Sequence, residues 1–486
     1  MAKKKITLLH SNDMHGDFLP QDVDGVETGG IARLSGYVRN ERAKSNNVVY
    51  AIAGDMFRGS IIDSEYRGLS TIELINVLNP DIATVGNHEV DYGVAHMLFL
   101  EKCATFPIIN ANLFITVNNA RLFAPYKIVD VDGVKILFVG ILTDEVIAST
   151  KKEAVIGSFV DIEEAAREVG IICDNYRNRF IDLTVLITHI GIEEDRRLAQ
   201  LLDPAWGVDL IIGGHSHTFM DQPEVVNGIP IAQAGTGTDV IGRFDLVVNT
   251  RKNGIDSYEW SCVPINENTA PLDPVMQAII ERYRGETDAK YKRLLTRFAR
   301  TLTHPVRNQE TELGNLYADI LQEDSSFDVM FMGSGSIRKE ELGPLVEYQD
   351  MLENTPFDGP LYMLKVTGAQ FRTMIKHILR DEAWTGHTEF YQFSRGVHIV
   401  YRKSTRTLET LELNGSEVRD DQEIFIAMMD YHYNNFDEFL GVPLEKVKAN
   451  YKPRIIATSV NNIFEEYFST HQNLDAHVEG RITLLD

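Results

Sequence analysis

Short apolar runs recur along the first half of the chain, at Ile6–Leu9, Val48–Ala53, Ile82–Val85, Ile136–Ile141, Leu183–Thr188 and Leu210–Ile212. Each is rich in β-branched residues and too short for a helix, so each predicts a buried strand. Segments with apolar positions at helical spacing, such as Leu69–Leu78 and Asp161–Asn175, lie between several of them. This β-then-α alternation predicts an α/β layered domain. Around Ile265–Asp273 the pattern gives way to a polar, proline-punctuated stretch, after which Val275, Met276, Ile279, Ile280 and Tyr283 fall at helical spacing. Dense charge continues through Lys290 to Arg300, all of it basic from Lys290 on. Residues 266–300 are therefore expected to form a linker helix with one packed and one solvated face. It would separate a first domain over 1–265 from a second over 301–486.

The second half reads as an α+β domain. Asn414-Gly415 follows the alternating run Thr407–Leu413 and signals a type I′ hairpin. Tyr362–Val366, then Thr367-Gly368, then the amphipathic Ala369–Leu379 predict strand, cap and helix in succession.

Composition narrows the classes that remain. A chain of 486 residues has room for two or three folded units with sizeable cores. Its formal charge of −24 repels nucleic-acid backbones and anionic membrane, so neither is an expected partner. No run approaches the ~18 apolar residues of a membrane span. The apolar stretch behind the basic start ends at His10, short of the roughly 7–15 residues of a secretory core segment. The three cysteines, Cys103, Cys173 and Cys262, are widely spaced and expected to be reduced core thiols. A cytoplasmic protein is the expectation, with an extracytoplasmic one as the alternative if a secretory signal has been removed.

The chemistry sits directly after the predicted strands. Asp13-Met14-His15, Gly54-Asp55, Gly86-Asn87-His88-Glu89-Val90-Asp91, Thr188-His189 and Gly213-Gly214-His215-Ser216-His217 each follow one. In open α/β sheets, loops beyond the carboxyl ends of strands converge on one crevice. These loops offer oxygen and nitrogen donors without thiolate, a set suited to manganese, iron, cobalt, nickel or zinc. A lone Asp-x-His carries little weight, and Asn87 alone could cap a helix. The ordered set carries much more, because five of the 14 histidines fall in these loops. His88 and Asp91 are three residues apart, so the carboxylate can orient the imidazole if a helical turn starts at Asn87. No Gly-x-Ser-x-Gly elbow and no phosphate-binding Walker loop occurs.

The ordered motifs resemble the calcineurin-like metallophosphoesterase superfamily. Leu9–Gly16 and Val85–Glu89 are similar to its 5′-nucleotidase family in particular. Glu312–Leu316, Gly333–Arg338, Thr355-Pro356-Phe357 and Leu364–Gly368 resemble that family's C-terminal substrate domain. The resemblance implies a four-layer α/β sandwich followed by an α+β substrate-binding domain. It implies two divalent metal ions, one held by Asp13, His15, Asp55 and His217, the other by Asp55, Asn87, His189 and His215. A bridging hydroxide would attack a nucleotide's phosphate in line, with His88 as proton donor and Asp91 as its partner. Arg338 would grip the phosphate, and Phe357 and Phe439 would stack on the base. The chain departs from the family at Gly333, at Gln309 and over Asn435–Glu438, where the family has Asn, Arg and a Gly-Gly-Asp-Gly turn. A small-molecule nucleotide or other phosphate ester is the partner so implied, most simply in a 5′-nucleotidase. A 2′,3′-cyclic-nucleotide phosphodiesterase with 3′-nucleotidase activity and a nucleotide-sugar hydrolase share the chemistry. A non-catalytic nucleotide-binding regulator shares only the fold.

Overall fold

The computed structural model describes residues 3–115, 118–143, 158–159, 161–176, 180–323, 326–386, 388–449 and 451–486. Two compact units divide the chain, Met1–Thr287 and Asp288–Asp486.

Five strands of the first unit matter most: β1 (Lys3–Ser11), β2 (Val48–Ala53), β3 (Ile82–Thr84), β4 (Leu183–His189) and β5 (Leu210–Ile212). One six-stranded sheet runs Gly254–Pro264, Val240–Asn249, β1, β2, β3, Ile108–Ile109. Within it β1, β2 and β3 are parallel neighbours. The other six-stranded sheet runs Glu224–Val226, Ile229–Ala232, β5, β4, Val134–Leu142, Tyr126–Val131, with β4 and β5 parallel. Apolar residues of both sheets, among them Leu8, Ala51, Phe138, Val185 and Ile212, form one buried cluster between them. Helices Ile31–Lys44, Leu69–Leu78 and Val94–Cys103 cover the first sheet, while Ile162–Tyr176 and Ile192–Leu201 cover the second. The result is four layers, α/β/β/α. Strands such as β2 are apolar at every position because both faces are covered.

The expected linker helix over 266–300 is corrected by the structure. The helix runs only from Pro274 to Tyr291. It starts at Pro274 because Asp273 accepts the Val275 amide at 3.0 Å and proline suits the first helical position. Its packed face, Met276, Ile280 and Tyr283, belongs to the core of the first unit. Beyond it, Leu294–Arg297 is a strand paired with Leu345–Glu347, and Leu295 and Phe298 enter the core of the second unit. The run of lysines and arginines masked that short β segment.

In the second unit a five-stranded sheet runs Tyr391–Phe393, Val329–Gly333, Glu423–Met429, Leu361–Thr367, Arg454–Ala457. A four-stranded sheet runs Ser416–Glu417, Thr407–Leu413, Val397–Arg402, Ile482–Leu485. Asn414 and Gly415 have φ of 51° and 75° and join the paired residues Leu413 and Ser416, as a type I′ hairpin requires. Thr367 and Gln370 form a reciprocal capping box at the start of helix Gly368–Ile378. Among the described residues no helix is long and apolar enough to cross a membrane.

Candidate active site

Each of the five strands delivers its polar residues at its carboxyl end. β1 leads into Asp13 and His15, β2 into Asp55, β3 into Asn87 and His88, and β5 into His215 and His217, while β4 ends on His189 itself. Five of these residues sit in the left-handed region: Asp13 at φ 51°, His15 at 48°, Asp55 at 51°, His215 at 81° and His217 at 52°. Backbone strain of this kind clusters at functional sites. The turns are tight enough that a methyl group at Gly86 would lie 2.2 Å from Asp55 Oδ1. Only glycine fits there.

The structure brings all seven predicted donors together. His15 Nε2 and His217 Nε2 are 3.0 Å apart, and His217 Nε2 lies 3.4 Å from Asp13 Oδ1. His189 Nε2 lies 3.1 Å from Asp55 Oδ2 and 3.2 Å from Asn87 Oδ1. His215 Nδ1 lies 2.8 Å from the same Asn87 oxygen. Asp55 Oδ2 is also 3.9 Å from His15 Nε2, so one carboxylate faces both histidine groups. Donor atoms of Asp13, His15 and His217 fall within 4.8 Å of one another, as do those of Asp55, His189 and His215. His15, Asp55 and His88 form a third such group.

Burial gives the cluster its electrostatic character. Asp13, Asp55 and His189 are all but removed from solvent. Burial alone would raise the Asp55 carboxyl, but the charge and hydrogen bond of His189 and the amide of His88 hold it well below the usual carboxylate range. Burial lowers the proton affinity of His189, and the Asp55 carboxylate more than reverses that. Imidazole nitrogens and carboxylate oxygens gathered this closely in overlapping groups are the donor set and spacing that divalent cations take. The residues present fit such ions.

Beside the cluster, His88–Val90 forms a single 3₁₀ turn, and His88 Nδ1 meets Asp91 Oδ2 at 2.7 Å. That hydrogen bond, the strongest influence on the group, raises the His88 pKa above its ordinary value. The His15 and His88 rings are 5.2 Å apart, centroid to centroid, so His88 borders the donor ring.

Several supporting residues escape sequence reasoning. Glu89 is buried and accepts the amides of Asp55, Met56 and Gly86 at 3.1, 2.7 and 2.6 Å, tying two of the loops together. Asn12 donates to Asp13 Oδ2 at 2.7 Å. Gln233 accepts the Ser216 hydroxyl at 2.9 Å and donates to buried Asp195 at 3.2 Å, which in turn accepts from Thr188 at 2.6 Å. Arg58 Nε lies 3.4 Å from Asp91 Oδ2. Glu89 and Asn12 had a signal, their places inside the Asn-His-Glu motif and the Leu9–Gly16 run; Gln233 and Arg58 are marked only by contacts remote in the chain.

In the second unit Arg338 and Phe357 are neighbours, with the guanidinium carbon 5.5 Å from the ring centroid and the ring 48% exposed. Phe439 is half-buried against the core, 5.6 Å from the exposed ring of Tyr431 and 5.8 Å from His432. At Gly333 a methyl group would lie 2.3 Å from His432 Nε2, so the histidine ring occupies the space that a side chain at 333 would need. Gln309 offers its carbonyl to Gln392 at 2.8 Å, and Gln392 also donates to Ser334 at 3.0 Å.

Residues 6–219 match the model of the calcineurin-like phosphoesterase domain. Four layers around clustered carboxylates and imidazoles define the class as a metallophosphoesterase, a hydrolase of phosphate esters. Residues 288–442 match the 5′-nucleotidase C-terminal domain. The chain is 27% identical to Protein 5NUC of Lutzomyia longipalpis, over 99% of this chain and 93% of that one. It is 26% identical to a 5′-nucleotidase of Mus musculus, over 98% and 90%. A 5′-nucleotidase precursor from Thermus thermophilus shares the fold with a TM-score of 0.60 at 22% identity, over 99% of this chain and 100% of that one. The chain belongs to the 5′-nucleotidase family of the calcineurin-like metallophosphoesterases.

Proposed function

We propose that this protein hydrolyses nucleoside 5′-monophosphates to nucleoside and inorganic phosphate. In this reading Asp13, His15, Asp55 and His217 hold one divalent cation, and Asp55, Asn87, His189 and His215 hold a second. The observation that supports it most is Asp55 Oδ2, which faces His189 at 3.1 Å and His15 at 3.9 Å from between the two histidine groups. When bound, two such cations neutralise phosphoryl oxygens and acidify water.

The chain's own residues then have distinct work. Buried Asp13 and Asp55 set the negative charge that draws cations into a narrow space. Asp91 keeps a proton on His88 Nδ1 and turns Nε2 away from itself, so that Nε2 can hold a proton for the departing oxygen. In the second unit, Arg338 offers a planar fork to a phosphate, and the exposed Phe357 ring beside it offers a face for a base. Phe439 contributes as part of a patch with Tyr431. A cytoplasmic setting belongs to the same reading.

The test is phosphate release by metal-reconstituted protein from 5′-, 3′- and 2′,3′-cyclic nucleotides and from an aryl phosphate, with manganese, cobalt, zinc and magnesium in turn. Release from 5′-monophosphates ahead of the others is expected. No release from any substrate would leave a nucleotide-binding protein without turnover. Asp55→Asn should lower the content of both metals, and a fully metallated, active Asp55→Asn protein would contradict the shared-ligand role.

A further inference from the structure

We propose that Arg58 is a positioning residue for the His88–Asp91 pair, an inference that rests on the phosphohydrolase reading above. Arg58 stands in the loop after β2 with φ of 71°, in the left-handed region that L side chains avoid. A non-glycine residue held there beside a reactive cluster points to a use for its side chain.

The neighbours show what holds the strain. The Arg58 amide donates to Asp63 Oδ2 at 3.0 Å. Asp63 is fully buried, and it also accepts the Tyr92 hydroxyl at 2.7 Å and the Thr71 hydroxyl. From this anchor the Arg58 side chain reaches forward. Its Nε lies 3.4 Å from Asp91 Oδ2, the oxygen that meets His88 Nδ1 at 2.7 Å. Its guanidinium carbon lies 6.0 Å from the centroid of the Tyr92 ring. The contacts close a circuit: Arg58 backbone to Asp63, Asp63 to Tyr92, Tyr92 ring to Arg58 guanidinium, with Asp91 next to Tyr92 in the chain.

One carboxylate oxygen facing two donors is fixed more tightly than one facing His88 alone. A fixed Asp91 settles which imidazole nitrogen carries the proton and where Nε2 points. Proton transfer depends steeply on that geometry, so the contribution belongs in the chemical step rather than in substrate affinity. The rival account is an ordinary surface ion pair, since the Arg58 side chain is 53% exposed. Such a pair contributes little and predicts no effect on turnover.

Arg58→Gly separates the two. Glycine adopts φ of 71° freely, so the fold should survive with an equal or higher melting temperature. The inference expects kcat to fall about 10- to 100-fold, with KM within about threefold and metal content equal to wild type. Arg58→Lys should recover part of the loss, because an ammonium can meet Asp91 but lacks the planar fork. Tyr92→Phe, which cuts the Asp63 tether and keeps the guanidinium, should give a smaller fall in kcat. The inference is overturned if Arg58→Gly keeps kcat within about twofold of wild type, if the loss falls on KM alone, or if metal is lost with the side chain. Wild-type protein releasing no phosphate with any metal would overturn this inference and the phosphohydrolase reading together. An active wild type beside an equally active Arg58→Gly would overturn this one alone.

Discussion

At His88 a carboxylate 2.7 Å from Nδ1 raises the imidazole's hold on a proton, while at His10 burial does the reverse. His10 lies inside β1, stacked on Trp260 with centroids 5.5 Å apart, and neither ring nitrogen has a hydrogen-bond partner. Burial lowers its pKa from 6.5 to about 3. Between those values the unfolded chain binds a proton that the folded chain refuses. Stability from this group is therefore complete above pH 6.5 and is lost as pH falls toward about 3, at about 1.4 kcal/mol per pH unit within the window. His10→Phe should flatten the pH dependence of the unfolding free energy between pH 6 and 4 by one proton, whatever it costs in absolute stability; an unchanged slope in urea titrations would refute the assignment. For His88 the expectation is kinetic. His88→Ala should lower kcat about 10²–10⁴-fold with metal content intact. Loss of metal by elemental analysis would make His88 a ligand, as its place beside His15 and Asp55 allows.

Elements set where these residues point. The parallel strands β1, β2 and β3 are buried along most of their length because helices and a second sheet cover both faces, so the site's polar residues can appear only where the strands end. That rule marks Asp13, Asp55 and Asn87 as candidates from the sequence alone. In the second unit, Thr367 accepts the Gln370 amide, and Gln370 returns the bond to the Thr367 amide. Thr367→Ala should lower stability by about 1 kcal/mol, read as a shift in the urea midpoint, because the Gln370 amide in the first turn loses its partner. The helix after Pro271 shows where pattern reading failed. The dense charge from Lys290 to Arg300 reads as a continuation of the helix, yet Leu294–Arg297 is held in a ladder by Leu345–Glu347, a remote partner that no local spacing shows.

On the scale of the whole molecule, a chain of charge −24 gathers the seven side chains proposed to hold metal from positions spread between 13 and 217. Cations that bind only the folded arrangement stabilise it by mass action, about 2.7 kcal/mol per site at a hundredfold excess over Kd. Exhaustive chelation should therefore abolish phosphate release and lower the melting temperature together, and adding back manganese or cobalt should restore both. Restored stability without restored turnover would count against a catalytic role for the metal.

Local chemistry is enough to mark the donors: short β-branched runs, glycines at the sharp turns and histidines just beyond them all lie within a few residues of one another in the chain. The same holds for the Asn414-Gly415 hairpin and the Thr367 cap. Arg58, Asp63, Gln233 and His432 have no such local mark, because an arginine or glutamine in a loop looks alike whether it meets water or a buried carboxylate. Their significance arises only when strand ends and loops remote in sequence pack within hydrogen-bond reach, where a polar group removed from water must find its partner across space rather than along the chain.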